Sequence, residues 1–251
     1  MPRANRYFLP GYIWHITHRC HKQELLLKFA FDRRAWIGWL FEAKKRYGLC
    51  ILNYIATSNH IHLLVKDTGR NEIPKSMQLV AGRVAQEFNQ RKKRKGAFWE
   101  DRYHATAVAA DDHFARCLTY IDLNMVRAGV VDDSTDWPES GYAELMQDGQ
   151  RYQLLDYEAL GELLGVTDRS EIQKARRTWV EETVRRNSLT RDSCWSESLA
   201  VGDEEFLVGV KARLGFKGRQ RAVKKGEQGF VLRENETSYS PFCPEKCHSK
   251  P

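Results

Sequence analysis

The chain has 251 residues, 42% of them hydrophobic, and 7 Trp, enough for one ample core with a small appendage and too apolar for a disordered chain. No apolar run approaches the ~18 residues of a membrane span, and the opening "MPRANRYFLPGY" lacks the apolar segment of a secretory signal, so a cytoplasmic protein with no membrane partner is expected. Residues 1–131 hold 22 Lys and Arg against 11 Asp and Glu, the remainder 18 against 22; this surplus directs the first half toward a polyanion, nucleic acid foremost, and disfavours a hydrolase of small phosphates.

The elements follow in chain order. "YIWHITHRC" (12–20) alternates and is rich in β-formers, so it reads as a strand. "FAFDRRAWIGWLFEAKKRYG" (29–48) has apolar positions at helical spacing and stops at Gly48. Two strands at about 49–57 and 60–67, joined by "SN", form an antiparallel hairpin. A second amphipathic helix (73–95) leaves through "RKKRK", and "FWEDRYHATAVA" (98–109) supplies a fourth strand. "DDHFARCLTYIDLNMVRAG" (111–129) makes a third helix, started by Asp and stopped by Gly129. The order βαββαβ followed by α predicts an α+β, ferredoxin-like antiparallel sheet, with two helices on one face and the third helix laid over the other. Beyond Gly129, residues 132–152 read as an acidic, turn-rich linker or wrap. Residues 153–218 read as a small C-terminal helical region with a DNA-binding or accessory role, and 219–251 as a flexible tail.

Two features carry chemistry. In "YIATSNHIHLLVKD" (54–67) strand periodicity puts His60, His62 and Leu64 on one face and Ile61, Leu63 and Val65 on the other. Two imidazoles pointing the same way can converge on one cation or one anionic group, or stand as half-exposed strand residues. On the third helix Phe114, Cys117, Leu118, Ile121, Met125 and Ala128 form an apolar stripe, and Tyr120 lies about 120° from its centre. Tyr120 falls among Arg116, Asn124 and Arg127, with Asn124 one turn away, which suits a hydroxyl presented to a phosphate. "HITHRCHK" offers His15, His18 and His21, but a spacing of three in a strand alternates faces, so they do not converge; His15 alone can lie near the side of the paired histidines. "CPEKCH" (243–248) lacks a second half for zinc, and the six scattered cysteines are expected to be reduced.

"SNHIHLLV", followed by "LTYIDLNMVRAG" after a basic helix and a strand, resembles the IS200-like single-tyrosine transposases, and the opening segment and "RYHATAVAADDHFARCLTYIDLN" are similar to their REP-associated branch. The resemblance spans about residues 2–145. It implies a metal-dependent nuclease and strand transferase acting on single-stranded DNA with REP-like hairpins through a 5′-phosphotyrosine. It also implies Mg²⁺ or Mn²⁺ held by His60, His62 and Asn124, with Ile61 as spacer and Tyr120 as nucleophile. The protein is expected to be a monomer or a homodimer; a non-cleaving DNA-binding regulator derived from such an enzyme is the alternative. Asp122 and Met125 depart from the His/Gln and Pro of the family pattern "YIHxNPVRAG". Expected phosphate contacts are Arg102, Arg116 and Arg127, with Arg3, Arg6 and Arg19 of the opening segment and Lys92 and Lys93 of "RKKRK", a run that can equally solvate a helix end. Tyr7, Phe8, Trp14, Trp99 and Tyr103 can stack bases or pack the core. Lys211, Arg213, Lys217, Arg219, Arg221, Lys224 and Lys225 form a second basic set.

Overall fold

A computed structural model describes residues 8–147, 149, 151–218, 221–226 and 229–234. The first half runs β1 (Ile13–Arg19), α1 (Ala30–Tyr47), β2 (Cys50–Ala56), β3 (His60–Lys66), α2 (Glu72–Arg91) and β4 (His104–Val108). The strands lie in the order β2-β3-β1-β4, every neighbouring pair antiparallel, which is the ferredoxin-like arrangement expected. Gly48 closes α1 with φ of 69°, a left-handed conformation that glycine adopts without strain.

Alternation decides what each face meets. Ile61, Leu63 and Val65 pair with His18, Ile16 and Trp14 of β1 and lie under α1 and α2, where Trp36 of α1 approaches Tyr54 at 6.3 Å. Trp99 stacks on His18 and donates its indole N–H to the Ala81 carbonyl of α2. A bulge between Ile51 and Asn53 turns Asn53 to the opposite face, beside Leu64. That opposite face is covered by α3 (Asp112–Asp122), whose His113 N–H is capped by the Asp111 carboxylate. Phe114, Cys117, Leu118 and Ile121 are buried as their stripe predicts; the three larger side chains contribute about 1.5–3 kcal/mol each.

The structure departs from the sequence reading in several places. The third helix is broken at Leu123 and resumes as the short α4 (Asn124–Arg127), leaving Ala128 exposed. The fourth strand begins only at His104; within 98–103, Trp99 makes a single bridge to Cys20. After residue 131 the chain forms α5 (Gly141–Met146), and the residues leading into it cover the outer edge of β2, which would otherwise stand unpaired. There Ala56 N–H donates to the Glu139 carbonyl, Ile55 bridges Ser140, and a Cβ on Gly141 would meet Asn53 Oδ1 at 2.4 Å.

The C-terminal region supplies α6 (Tyr157–Leu164), α7 (Arg169–Arg185), α8 (Cys194–Glu197), β5 (Ala200–Gly202), α9 (Glu204–Arg213), β6 (Arg221–Gly226) and β7 (Gly229–Glu234). It is therefore more than a helical appendage. β5 joins β4 in parallel, and the hairpin β6–β7 completes one seven-stranded sheet in the order β2-β3-β1-β4-β5-β7-β6. Residues 221–226 and 229–234 are strands, not part of a flexible tail; "CPEKCH" lies outside the described residues. α7 packs on α3 through Arg176 and Asp122, which are 0% and 1% exposed. Asp122 accepts from Arg176 Nη2 at 2.5 Å, Arg176 Nε at 3.1 Å and Asn53 Nδ2 at 2.8 Å. Among the described residues no helix is long and apolar enough to cross a membrane.

Candidate active site

β3 presents His60 and His62 on the face turned from α1 and α2, and the ladder places His15 of β1 opposite Leu64 on that same face. His15 Nε2 lies 2.9 Å from His62 Nδ1, and His15 Nδ1 lies 2.9 Å from the Trp195 carbonyl oxygen. A carbonyl only accepts, so His15 carries its proton on Nδ1 and offers Nε2 as an acceptor. His62 must then donate from Nδ1, which leaves the lone pair on its Nε2, beside Asn124 Nδ2 at 3.0 Å. His60 Nδ1 is held between Asn59 Oδ1 at 2.7 Å and Thr57 Oγ1 at 3.0 Å, so its Nε2 is likewise the nitrogen left for a ligand. Burial keeps these rings neutral. It pushes His15 down to about 3 and His60 down to about 4, the latter aided by Arg19, Arg191 and Arg127. His62 falls well below the ordinary histidine value through burial and then through His60 and His15.

The Trp195 carbonyl is where it is because α8 has only four residues and leaves its last carbonyls without helical partners. Polar side chains of the sheet satisfy them. Thr106 Oγ1 donates to the Trp195 and Ser198 carbonyls at 3.3 and 2.7 Å, and His104 Nε2 lies 2.8 Å from the latter.

Tyr120 hangs from α3 over this face. Its ring centroid is 5.8 Å from that of His62 and 6.3 Å from that of His15, edge-on to both. The Arg127 guanidinium carbon lies 4.1 Å over the phenol ring, and Arg127 Nη2 donates to the Tyr120 carbonyl at 3.2 Å. Burial raises the phenol pKa, while Arg127 and Arg191 draw it down. Tyr120, His60, His62, Asn124 and Arg127 line one open cleft of about 790 Å³, with Arg19, Arg102 and Arg191 on its walls.

The other expected positions divide. Arg116, one turn before Tyr120, lines a second cleft shared with Arg191. Lys92 and Lys93 are exposed beyond the end of α2, where Lys92 Nζ lies 5.5 Å from the Phe29 ring, and they do not line the tyrosine cleft. Arg3, Arg6 and Tyr7 lie outside the described residues. Phe8, Trp14 and Tyr103 pack against one another, Phe8 lying 5.0 Å from Trp14 and 6.4 Å from Tyr103. Sequence reasoning missed Arg191 and Trp195 altogether; it allowed His15 near the side of the paired histidines, where the structure places it, but not its hydrogen bond to His62.

The donors suit a divalent cation. Two neutral imidazoles offer Nε2 lone pairs next to an amide, and a half-turn of the Asn124 amide exchanges its NH₂ for its oxygen. Among the described residues no three His, Cys, Asp or Glu side chains gather into a metal cluster; the polar group beside His62 Nε2 is the Asn124 amide, 3.0 Å away.

Comparison with known proteins bears on the family and the fold. The family profile described as "Transposase IS200 like" matches residues 11–124. A REP-associated tyrosine transposase solved bound to a REP hairpin is similar in fold, with a TM-score of 0.50 and 19% identity, covering 63% of this chain and 96% of that one. A Deinococcus radiodurans R1 protein assigned as a transposase reaches a TM-score of 0.35 at 17% identity, over 47% of this chain and 94% of that one. A bacterial tRNA(His) guanylyltransferase-like protein in complex with GTP reaches 0.32 at 12% identity, over 54% and 70%. No curated protein matches the chain.

Proposed function

We propose that the chain, whose residues 11–124 match the IS200-like transposase family, is a metal-dependent single-stranded DNA nuclease and strand transferase acting on hairpin-bearing, REP-like repeats. The observation that carries this reading is the meeting of Tyr120 with His60, His62 and Asn124 in one cleft walled by arginines. A phenol of ordinary pKa about 10 is a weak nucleophile at neutral pH, and burial weakens it further. Arg127 and Arg191 oppose that shift, so their positive charge favours the phenolate.

In the reaction the Tyr120 oxygen forms a bond to phosphorus as the bond from phosphorus to the 3′ oxygen breaks. The products are a 5′-phosphotyrosine and a free 3′-OH, the phenol's proton balancing the charge on the departing oxygen. A different 3′-OH attacking the same phosphorus then releases the phenol and rejoins the strand, since the covalent intermediate retains the energy of the phosphodiester. His60, His62 and the Asn124 oxygen would hold Mg²⁺ or Mn²⁺, which supplies Lewis-acid polarisation of a non-bridging phosphate oxygen. Imidazole donors favour Mn²⁺ of the two. Arg19, Arg102 and Arg127 hold the phosphate backbone in the cleft, and the edge-on imidazoles of His62 and His15 fix the side from which the phenol approaches.

The test is covalent capture. Labelled single strands carrying hairpins are incubated with Mn²⁺ or Mg²⁺ and run under denaturing conditions. The wild type forms a protein–DNA adduct and Tyr120→Phe forms none. An adduct with the Phe variant removes Tyr120 from this role, and DNA binding without any wild-type adduct favours a non-cleaving regulator.

A further inference from the structure

Beside the tyrosine cleft lies a second one, of about 350 Å³, that the chemistry above does not use. It is built between α3, the segment 191–194 and the β6–β7 hairpin, and of its lining residues only Arg116 lies within residues 11–124. Its lining carries Arg116, Arg191, Lys224, Lys225 and Arg233 against one acid, Asp192. Lys224 and Lys225 are exposed. The half-buried Phe230 adds an aromatic surface. The hairpin is seated tightly against the start of α3: a Cβ on Gly229 would meet His113 Nε2 at 2.4 Å.

Two observations join this cleft to the reaction. Arg191 lines both clefts, and its charge acts on Tyr120, His60 and His62. Arg116 and Tyr120 are four residues apart on α3, so one helical turn of about 5.4 Å separates a residue of the second cleft from the attacking oxygen's helix position. Stacked nucleotides advance about 3.4 Å each along a helical strand and further when the strand is extended, so that separation is on the scale of one to two nucleotides.

Resting on the proposed reaction at Tyr120, we infer that the second cleft seats the single strand that continues from the scissile phosphate. The DNA passes Arg191 and is held by Lys224 and Lys225 through its phosphates, with Phe230 under a base. Stacking is tolerant of sequence and phosphate contacts carry none. The cleft thus fixes where the strand runs without choosing what it says. The β6–β7 hairpin is the part of the C-terminal region that lengthens the DNA track.

The experiment uses the full chain without divalent cation, so that binding is read apart from cleavage. Three fluorescent hairpins are compared by anisotropy: one with the scissile step and no flank, and two extended on the 5′ or the 3′ side by about six nucleotides, within the span of single-strand grooves. For the wild type, a flank on one side tightens binding. In Lys224→Glu/Lys225→Glu that gain is lost, about tenfold, and the salt slope for the flanked strand falls by about 1.4, two phosphate contacts at about 0.7 each. Binding of the unflanked hairpin is unchanged, which also reports that the variant is folded. Phe230→Ala loses part of the same gain with no change in salt slope. Equal flank gains in wild type and double variant, or equal losses on flanked and unflanked strands, overturn the inference. Covalent capture is scored separately: a wild type that forms no adduct yet shows the flank effect leaves the cleft standing and removes the reaction. A wild type that forms the adduct with no flank effect does the reverse.

Discussion

Replacing His15 with leucine tests how the histidine pair is made ready for a cation. His15 is fully buried and makes two hydrogen bonds, accepting from His62 Nδ1 and donating to the Trp195 carbonyl, each 2.9 Å. Leucine fills much of the volume but accepts nothing. His62 then has two choices. It can keep its proton on Nδ1, leaving a buried donor unpaired at about 1–3 kcal/mol, or move the proton to Nε2 and lose the lone pair that faces Asn124. Either way the penalty falls on the cation-binding form. Loss of such a supporting partner typically lowers metal affinity 10–100-fold, about 1.4–2.7 kcal/mol. Calorimetric titration with Mn²⁺ reads the affinity directly, and circular dichroism confirms that the variant is folded. His15→Gln restores an acceptor and recovers most of the affinity. A folded His15→Leu that binds Mn²⁺ within twofold of wild type, or a glutamine variant no better than leucine, refutes the reasoning.

Arg176→Met leaves the buried Asp122 carboxylate with only the Asn53 amide. It destabilises the fold by about 3–5 kcal/mol, a melting temperature lower by about 6–20 °C for a chain of this size; Asp122→Leu/Arg176→Met recovers most of that, and a loss below about 1 kcal/mol for the single variant speaks against a coupled buried pair. Because His15 and His60 titrate in the native state near 3 and 4 rather than 6.5, the unfolded chain binds more protons as pH falls below 6.5. Their stabilisation is full above that value and lost toward pH 4 and 3, so the melting temperature drops on acidification, and more gently in His15→Leu. Arg127→Gln removes a charge that draws the phenol pKa down, so adduct formation slows and its pH profile moves to higher pH. An unshifted profile contradicts that role.

Local periodicity determined a good deal without any tertiary information. A repeat of two placed His60 and His62 together, and a repeat of 3.6 set Tyr120 apart from the stripe that buries Phe114 and Ile121, because both depend only on the backbone between near neighbours. The order of elements carried the ferredoxin-like core for the same reason. What remained hidden acts across long stretches of chain. His15 meets His62 over 47 residues and the Trp195 carbonyl over 180, contacts that strand register and the docking of α8 create together. Asp122 looked like a plain departure from the family pattern until α7 brought Arg176 against it, 54 residues away. The β6–β7 hairpin escaped notice because its charged, half-exposed strands lack a strong apolar alternation, and their pairing is decided by the neighbouring β5. Periodicity aimed the histidines and the tyrosine, and only the folded sheet, by bringing distant carbonyls and guanidinium groups against them, set their protonation and surroundings.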